Sequence, residues 1–212
     1  MKVIAINGSP RKGWNTSTLL QSFLDGAAAA GAETEMIDLF DLDFTGCRSC
    51  FACKIKGRIV DQCVIPDGLK PVLAKIRECD ALAIGSPIYF GDVTGATRNL
   101  LERAYFPYIS YDGAEPSFPK KVPALFVYTT NAPESQFEDA GYWDMFQRHL
   151  QPWTWLIGPA EYMVASETLQ FDDYSKYASG MFDAEERKHR HETIFEDDKQ
   201  KAFDIGKHFC EQ

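Results

Sequence analysis

Cys47, Cys50 and Cys53 recur at every third position, and Cys63 follows after nine further residues. Three thiols at this spacing can wrap one corner of a metal cluster, with a more distant cysteine closing the set. Zinc is less apt, because structural zinc loops bring two compact Cys or His pairs and only one compact triplet exists here. The alternative is four unligated thiols in a reducing compartment. Cys79 and Cys210 fall in helical patterns and read as structural thiols.

A second stretch with chemistry in it is Asn7-Gly8-Ser9-Pro10-Arg11-Lys12-Gly13-Trp14-Asn15-Thr16-Ser17-Thr18, which leaves an apolar run and enters a helical pattern. The first N–H groups of a helix lack acceptors, so a phosphate placed there would accept several of them. Hydroxyls of Ser9, Thr16, Ser17 or Thr18 would add bonds, and Arg11 or Lys12 would add charge from the rim. Gly8 and Gly13 have Walker-A spacing, but Trp14-Asn15 replaces the Lys-Ser/Thr pair that such a loop needs, and no G-x-G-x-x-G is present. The plain alternative is a helix cap by Asn15 or Thr16.

Two more loops carry suitable groups. Gly85-Ser86-Pro87-Ile88-Tyr89-Phe90-Gly91 combines a Pro-fixed bend, glycines that admit a flat ligand, and Tyr89 and Phe90, which can stack on an aromatic system. A turn whose aromatics belong to the core is the alternative. Tyr128-Thr129-Thr130-Asn131 ends a later apolar run, either as polar ligand contacts or as a simple Thr-Asn turn. His149 and His208 read as isolated on helices, and His189 and His191 as solvated. Trp143, Phe146, Trp153 and Trp155 read as core or as a dimer interface.

The elements that must position these loops alternate strand and helix. Strands are expected over Lys2–Asn7, Glu33–Leu39, Ala81–Gly85, Pro123–Thr130 and Glu161–Ser166. Helices are expected over Thr16–Ala30, Asp67–Cys79, Val93–Tyr105 and Glu138–Leu156, with a long charged one over Asp183–Phe209. Five βα units predict an α/β fold, an open parallel sheet with helices on both faces. Its common order is 2-1-3-4-5, with ligands at the switch between strands one and three. The loops after strands one, three and four then share one crevice. Residues 1–212 read as a single domain with a Cys-rich insertion at about 45–66. The Phe106–Lys121 connection is also long and is a candidate lid or partner contact.

Gly8-Ser9-Pro10-Arg11, with Asn15-Thr16 and Leu19-Leu20, resembles the opening of the NADPH-dependent FMN reductase and iron–sulfur flavoprotein group, which is flavodoxin-like. The same group carries a Ser-Pro-x-Tyr-x-Gly turn like Ser86–Gly91, followed by a helix like Arg98–Arg103. The resemblance spans most of Met1–Ser166. It implies a three-layer flavodoxin-like sandwich that binds FMN, with Ser9, Arg11, Asn15, Thr16, Ser17 and Thr18 around its phosphate. It further implies Pro87, Ile88, Tyr89, Phe90 and Gly91 at the ring and Thr129, Thr130 and Asn131 on the pyrimidine side. The cysteine run resembles the iron–sulfur flavoproteins, which ligate a [4Fe–4S] cluster by Cys-x2-Cys-x2-Cys and a fourth Cys. Carried over, the ligands are Cys47, Cys50, Cys53 and Cys63, although the family's last gap is usually shorter. The implied function is an FMN-dependent oxidoreductase performing NAD(P)H-linked reduction of flavin, quinone or a similar acceptor. The alternative is an iron–sulfur flavoprotein electron carrier fed by ferredoxin. A homo-oligomer, a dimer or tetramer, is implied as well. No side-chain acid or base is assigned.

Composition excludes other classes. A net charge of -9 argues against a nucleic-acid surface, which needs a basic face. The apolar runs are short and broken by charges, so no membrane insertion is expected. No export signal is seen at Met1–Gly8, and a cytoplasmic location is expected.

Overall fold

The computed structural model describes residues 1–56, 62–113 and 118–211. Parts of the Thr45–Pro66 and Phe106–Lys121 connections therefore lie outside the described residues.

The first strand β1 (Lys2–Asn7) is buried at every position after Lys2, as a strand covered on both faces must be. It pairs in parallel with the edge strand β2 (Glu33–Asp38) on one side and with β3 (Ala81–Tyr89) on the other. β3 pairs with β5 (Ala124–Thr129), and β5 with β6 (Ala160–Ala165), again in parallel. The order β2-β1-β3-β5-β6 is the expected doubly wound sequence of five long strands. One short strand was not expected. β4 (Asp92–Val93) folds back antiparallel on the end of β3, pairing Val93 with Ile88 and Asp92 with Tyr89. β3 thus runs four residues past the end foreseen for it.

Helices α2 (Leu69–Glu78), α3 (Gly95–Tyr105) and α4 (Tyr142–Leu156) cover one face of the sheet. Their apolar stripes bury Leu73, Ile76, Leu100, Phe146 and Trp153 against Ile4, Ile84 and Phe126. On the other face lie α1 (Asn15–Ala29) and α6 (Ile194–Glu211), packed through Leu20, Phe23, Ala202 and Phe209 onto Val3, Ala5 and Val127. These two helices cross at backbone contact: a Cβ on Gly26 would sit 1.9 Å from the Phe203 carbonyl, and one on Gly206 1.9 Å from that of Phe23.

The expected final helix is two helices, α5 (Ala184–Glu192) and α6. Asp183 caps the first by accepting from the N–H groups of Glu185 and Glu186. Thr193 then leaves helical geometry with φ -124 and ψ -79, and its hydroxyl donates to the His189 carbonyl. A β-branched residue that satisfies a helix end with its own side chain is a natural break. The start of α4 also lies later than expected, because Gly141 at φ +68 turns the chain immediately before it. No helix among the described residues is long and apolar enough to cross a membrane.

Candidate functional site

The loop after β1 is held from below by main-chain bonds. Gly8 N–H donates to the Gly85 carbonyl at 2.8 Å, and the Thr94 hydroxyl donates to the Gly8 carbonyl at 2.8 Å. A Cβ at Gly8 would meet Thr97 Oγ1 at 1.9 Å and the Gly85 carbonyl at 2.9 Å, so only glycine fits. Above it, Asn7 Oδ1 accepts from Ser9 N–H at 3.0 Å while its amide donates to Asp38 at 2.7 Å. Ser9 Oγ accepts from Arg11 N–H at 3.2 Å. Lys12 reaches across to Asp38 and Asp41 at the end of β2. The loop is therefore shaped before any ligand arrives.

Ser9, Arg11, Asn15 and Thr16 face an open cleft. Pro87, Ile88 and Tyr89 form a second wall, and Thr129, Thr130 and Asn131 a third. Thr16 and Thr129 join the first wall to the third by a hydroxyl–hydroxyl bond of 2.7 Å. The Asn131 carbonyl accepts from Arg187, which is held by Glu167. Asn131 Oδ1 is buried and has no hydrogen-bond partner. Such an atom costs about 1–3 kcal/mol unless something donates to it.

Four residues named from the sequence stand outside this lining. Ser17 Oγ accepts from Trp14 N–H at 2.9 Å and donates back to the Trp14 carbonyl at 3.0 Å, so it starts its own helix. Thr18 points to the neighbouring hollow beside Lys199. Phe90 and Gly91 form the tip of the β3–β4 hairpin, with φ +52 and +83. Two left-handed residues make the tight turn that suits a two-residue hairpin, normally an Asn-Gly or Gly-Gly task. Phe90 is fully exposed there.

One side of the site and a contact behind it had no sequence signal. Thr168 and Gln170, past β6, form a fourth side, and Leu169 between them braces the loop after β1. The Leu169 carbonyl accepts from Asn15 Nδ2 at 2.7 Å and from Trp14 Nε1 at 3.2 Å, and the Gln170 carbonyl accepts from Arg11 at 2.6 Å. The Arg11 guanidinium also stacks on Trp14, 3.9 Å from the ring centre. Behind the site, His149 is buried rather than isolated. Its Nε2 lies 3.0 Å from Asp92 and its Nδ1 3.2 Å from the Tyr128 hydroxyl, tying the hairpin to α4 and β5. Burial lowers its pKa from the usual value, with Asp92 opposing.

The cysteines form a separate place. Cys47, Cys50, Cys53 and Cys63 line one pocket with Phe51, Phe106, Pro107 and Arg103. The chain turns sharply there: Ser49 and Phe51 both sit in the left-handed region, at φ +50 and +52. Burial, the strongest influence, pushes the Cys53 thiol up, while Lys54 pulls it down. Among the described residues, no three thiol, imidazole or carboxylate groups converge on a point that would hold a single ion. Helix α3 connects the two places. Thr94 at its N-terminus bonds the Gly8 loop, and Arg103 near its C-terminus borders the cysteines, about 13 Å along the axis.

The family model described as NADPH-dependent FMN reductase matches residues 1–137. An iron–sulfur flavoprotein of Methanocaldococcus jannaschii is 40% identical over 104 residues, covering 49% of this chain and 52% of that protein. The chain thus spans about half the length of such curated relatives. A longer match is an iron–sulfur flavoprotein of Archaeoglobus fulgidus, 28% identical over 93% of this chain and 86% of that one. Among solved structures, an NAD(P)H:quinone oxidoreductase from Methanothermobacter marburgensis superposes with a TM-score of 0.69 over 98% of each chain at 15% identity. That likeness is one of fold, and the fold is flavodoxin-like.

Proposed function

The chain belongs to the NADPH-dependent FMN reductase family, and from that premise we propose that it is an oxidoreductase holding FMN in the cleft between the ends of β1, β3 and β5. The observation that carries this reading is one cleft lined by the first-turn residues of α1, Asn15 and Thr16, by the Pro87–Tyr89 turn and by Asn131, whose buried Oδ1 has no partner. A ligand with an anionic group for the helix N-terminus and a ring N–H for Asn131 suits both. FMN has that chemistry: a phosphate and a pyrimidine-like edge.

Each wall then has a task. The first-turn N–H groups of α1, with the hydroxyls of Ser9 and Thr16, bind the phosphate. Arg11, braced by Gln170 and Trp14, supplies positive charge at the rim. Pro87, Ile88 and Tyr89 orient the ring, and Thr129, Thr130 and Asn131 face its polar edge. Ser17 and Thr18 support the helix start from outside the cleft. When bound, FMN supplies the redox chemistry, accepting two electrons as a hydride or passing them on singly. The protein supplies binding, orientation and electrostatics. NAD(P)H is the donor the family description suggests, with flavin, quinone or a similar small molecule as acceptor.

A second reading has its own observation. Four cysteines line one pocket beside a buried arginine. A [4Fe–4S] cluster takes one thiolate per iron, so its ligands stand around a body rather than converging on a point. The four thiols match that group's donor set, and with it bound the chain would be an electron carrier that exchanges single electrons with ferredoxin. Its net charge of -9 suits docking to basic redox partners.

The test is spectroscopic. Protein purified without oxygen is assayed for FMN, iron and acid-labile sulfide, then mixed with NADH, NADPH or reduced ferredoxin. Rapid bleaching of the flavin by a nicotinamide, with turnover on a quinone, supports the reductase. Reduction by ferredoxin alone supports the carrier. A colourless protein that takes up no added FMN overturns both.

A further inference from the structure

Arg103 is the least expected residue of the cysteine pocket. Its side chain is wholly buried, which for a guanidinium is costly unless the charge and its donors are matched. Much of the matching is done by the segment that carries the cysteines. One terminal nitrogen donates to Asp67 at 2.5 Å and to the Thr45 carbonyl at 3.0 Å, and the other donates to the Ile65 carbonyl at 3.3 Å. These partners flank the first and the last of the four cysteines. The inner N–H, on Nε, is buried with no hydrogen-bond partner. Arg103 borders the pocket that all four thiols line.

A fixed cation with a spare donor at a wall of thiols has one clear electrostatic use. Four thiolates around a [4Fe–4S] core give that site a net negative charge, and reduction by one electron adds to it. A cation held at the wall stabilises the reduced form more than the oxidised form. Asp67 opposes this by neutralising part of the same cation. Of the other nearby bases, Arg48 lines the same pocket but is exposed, its Nε donating to the Thr45 hydroxyl, and Lys54 is committed to the Pro107 and Ile109 carbonyls and to the faces of Phe106 and Tyr111.

We propose that Arg103 is a positioning residue that sets the reduction potential of the cysteine site, its guanidinium favouring the reduced form and Asp67 tempering it. The proposal rests on the cluster reading given above.

The experiment is a spectroelectrochemical titration of the anaerobic FMN- and iron-loaded protein, comparing wild type with Arg103→Gln and Asp67→Asn. Arg103→Gln removes the charge and keeps a planar donor. It is expected to make reduction of the cluster at least tenfold less favourable, a fall of about 59 mV for a one-electron couple. Asp67→Asn frees the guanidinium and is expected to shift the potential in the opposite direction. A purely structural ion pair would not give shifts of opposite sign. Full iron content with an unchanged potential in both variants overturns the role of Arg103 and leaves the cluster intact. Iron missing from the wild type overturns the cluster reading itself. If Arg103→Gln does not fold, the rise in Asp67→Asn decides alone, and its absence is a refutation.

Discussion

Replacing Asn131 by alanine separates ligand binding from folding. In the apoprotein Asn131 Oδ1 is a buried acceptor without a partner, whereas the main-chain carbonyl of the same residue is already bonded to Arg187. Removing the side chain removes the unpaired atom and leaves the Arg187 bond in place. Relief of an unmet acceptor is worth about 1–3 kcal/mol, less the packing lost with the amide. The apoprotein is therefore expected to hold its stability or gain up to about 1 kcal/mol. Binding changes in the opposite sense. FMN loses the acceptor for a ring N–H, and an unpaired donor in that cleft costs about 1–3 kcal/mol. At 1.4 kcal/mol per tenfold, the FMN dissociation constant rises about 5- to 150-fold. Quenching of flavin fluorescence on addition of apoprotein gives the affinity, and urea unfolding of the flavin-free protein gives the stability. An unchanged affinity together with a destabilised apoprotein would refute the argument, because the side chain would then be structural.

Three further outcomes are expected. Gly8→Ala drives a Cβ to 2.9 Å from the Gly85 carbonyl and into Thr97. Main chain cannot yield cheaply, so FMN binding is lost and the melting temperature falls, as calorimetry with and without FMN will report. Phe90→Asn at φ +52 relieves a left-handed aromatic without losing buried surface. About 1 kcal/mol of added stability in urea is expected, and a loss of stability would mean that Phe90 is covered in solution. His149 has a folded pKa below the usual 6.5, so the unfolded chain binds the extra proton. Its effect is absent above pH 6.5, and stability falls as pH drops from there through the folded pKa. Urea midpoints between pH 7.5 and 5 should decline in wild type more steeply than in His149→Gln.

The architecture was legible locally because its signals are local. The continuous apolar run of β1, the hydroxyl-rich passage into α1 and the 3–4 spacing of Leu69, Val72, Leu73 and Ile76 each specify an element without reference to distant residues. With right-handed crossovers, five such βα units leave few orders, and 2-1-3-4-5 was among them. The loops at the ends of β1, β3 and β5 could therefore be assigned to one crevice from sequence. Residue roles within a loop were less legible. Ser17 and Thr16 are neighbours of like chemistry, yet one caps its own helix and the other bonds Thr129 across the cleft.

Contacts between remote segments were decided only in three dimensions. The Leu169 carbonyl is 154 residues from the Asn15 amide it accepts from, and nothing in Thr168-Leu169-Gln170 marks it as a wall. His149 looked like a lone histidine on a helix until the hairpin at Asp92 and the hydroxyl of Tyr128 closed on it. Arg103 read as one charge on the helix after the Tyr89 turn, and its burial beside the cysteines depends on how the chain around Thr45, Ile65 and Asp67 packs. The sequence by itself determined which residues could do chemistry and on which edge of the sheet. Tertiary structure decided which of them face each other, because a partner's position depends on the path of the whole chain, and residue spacing encodes only its nearest turn or strand.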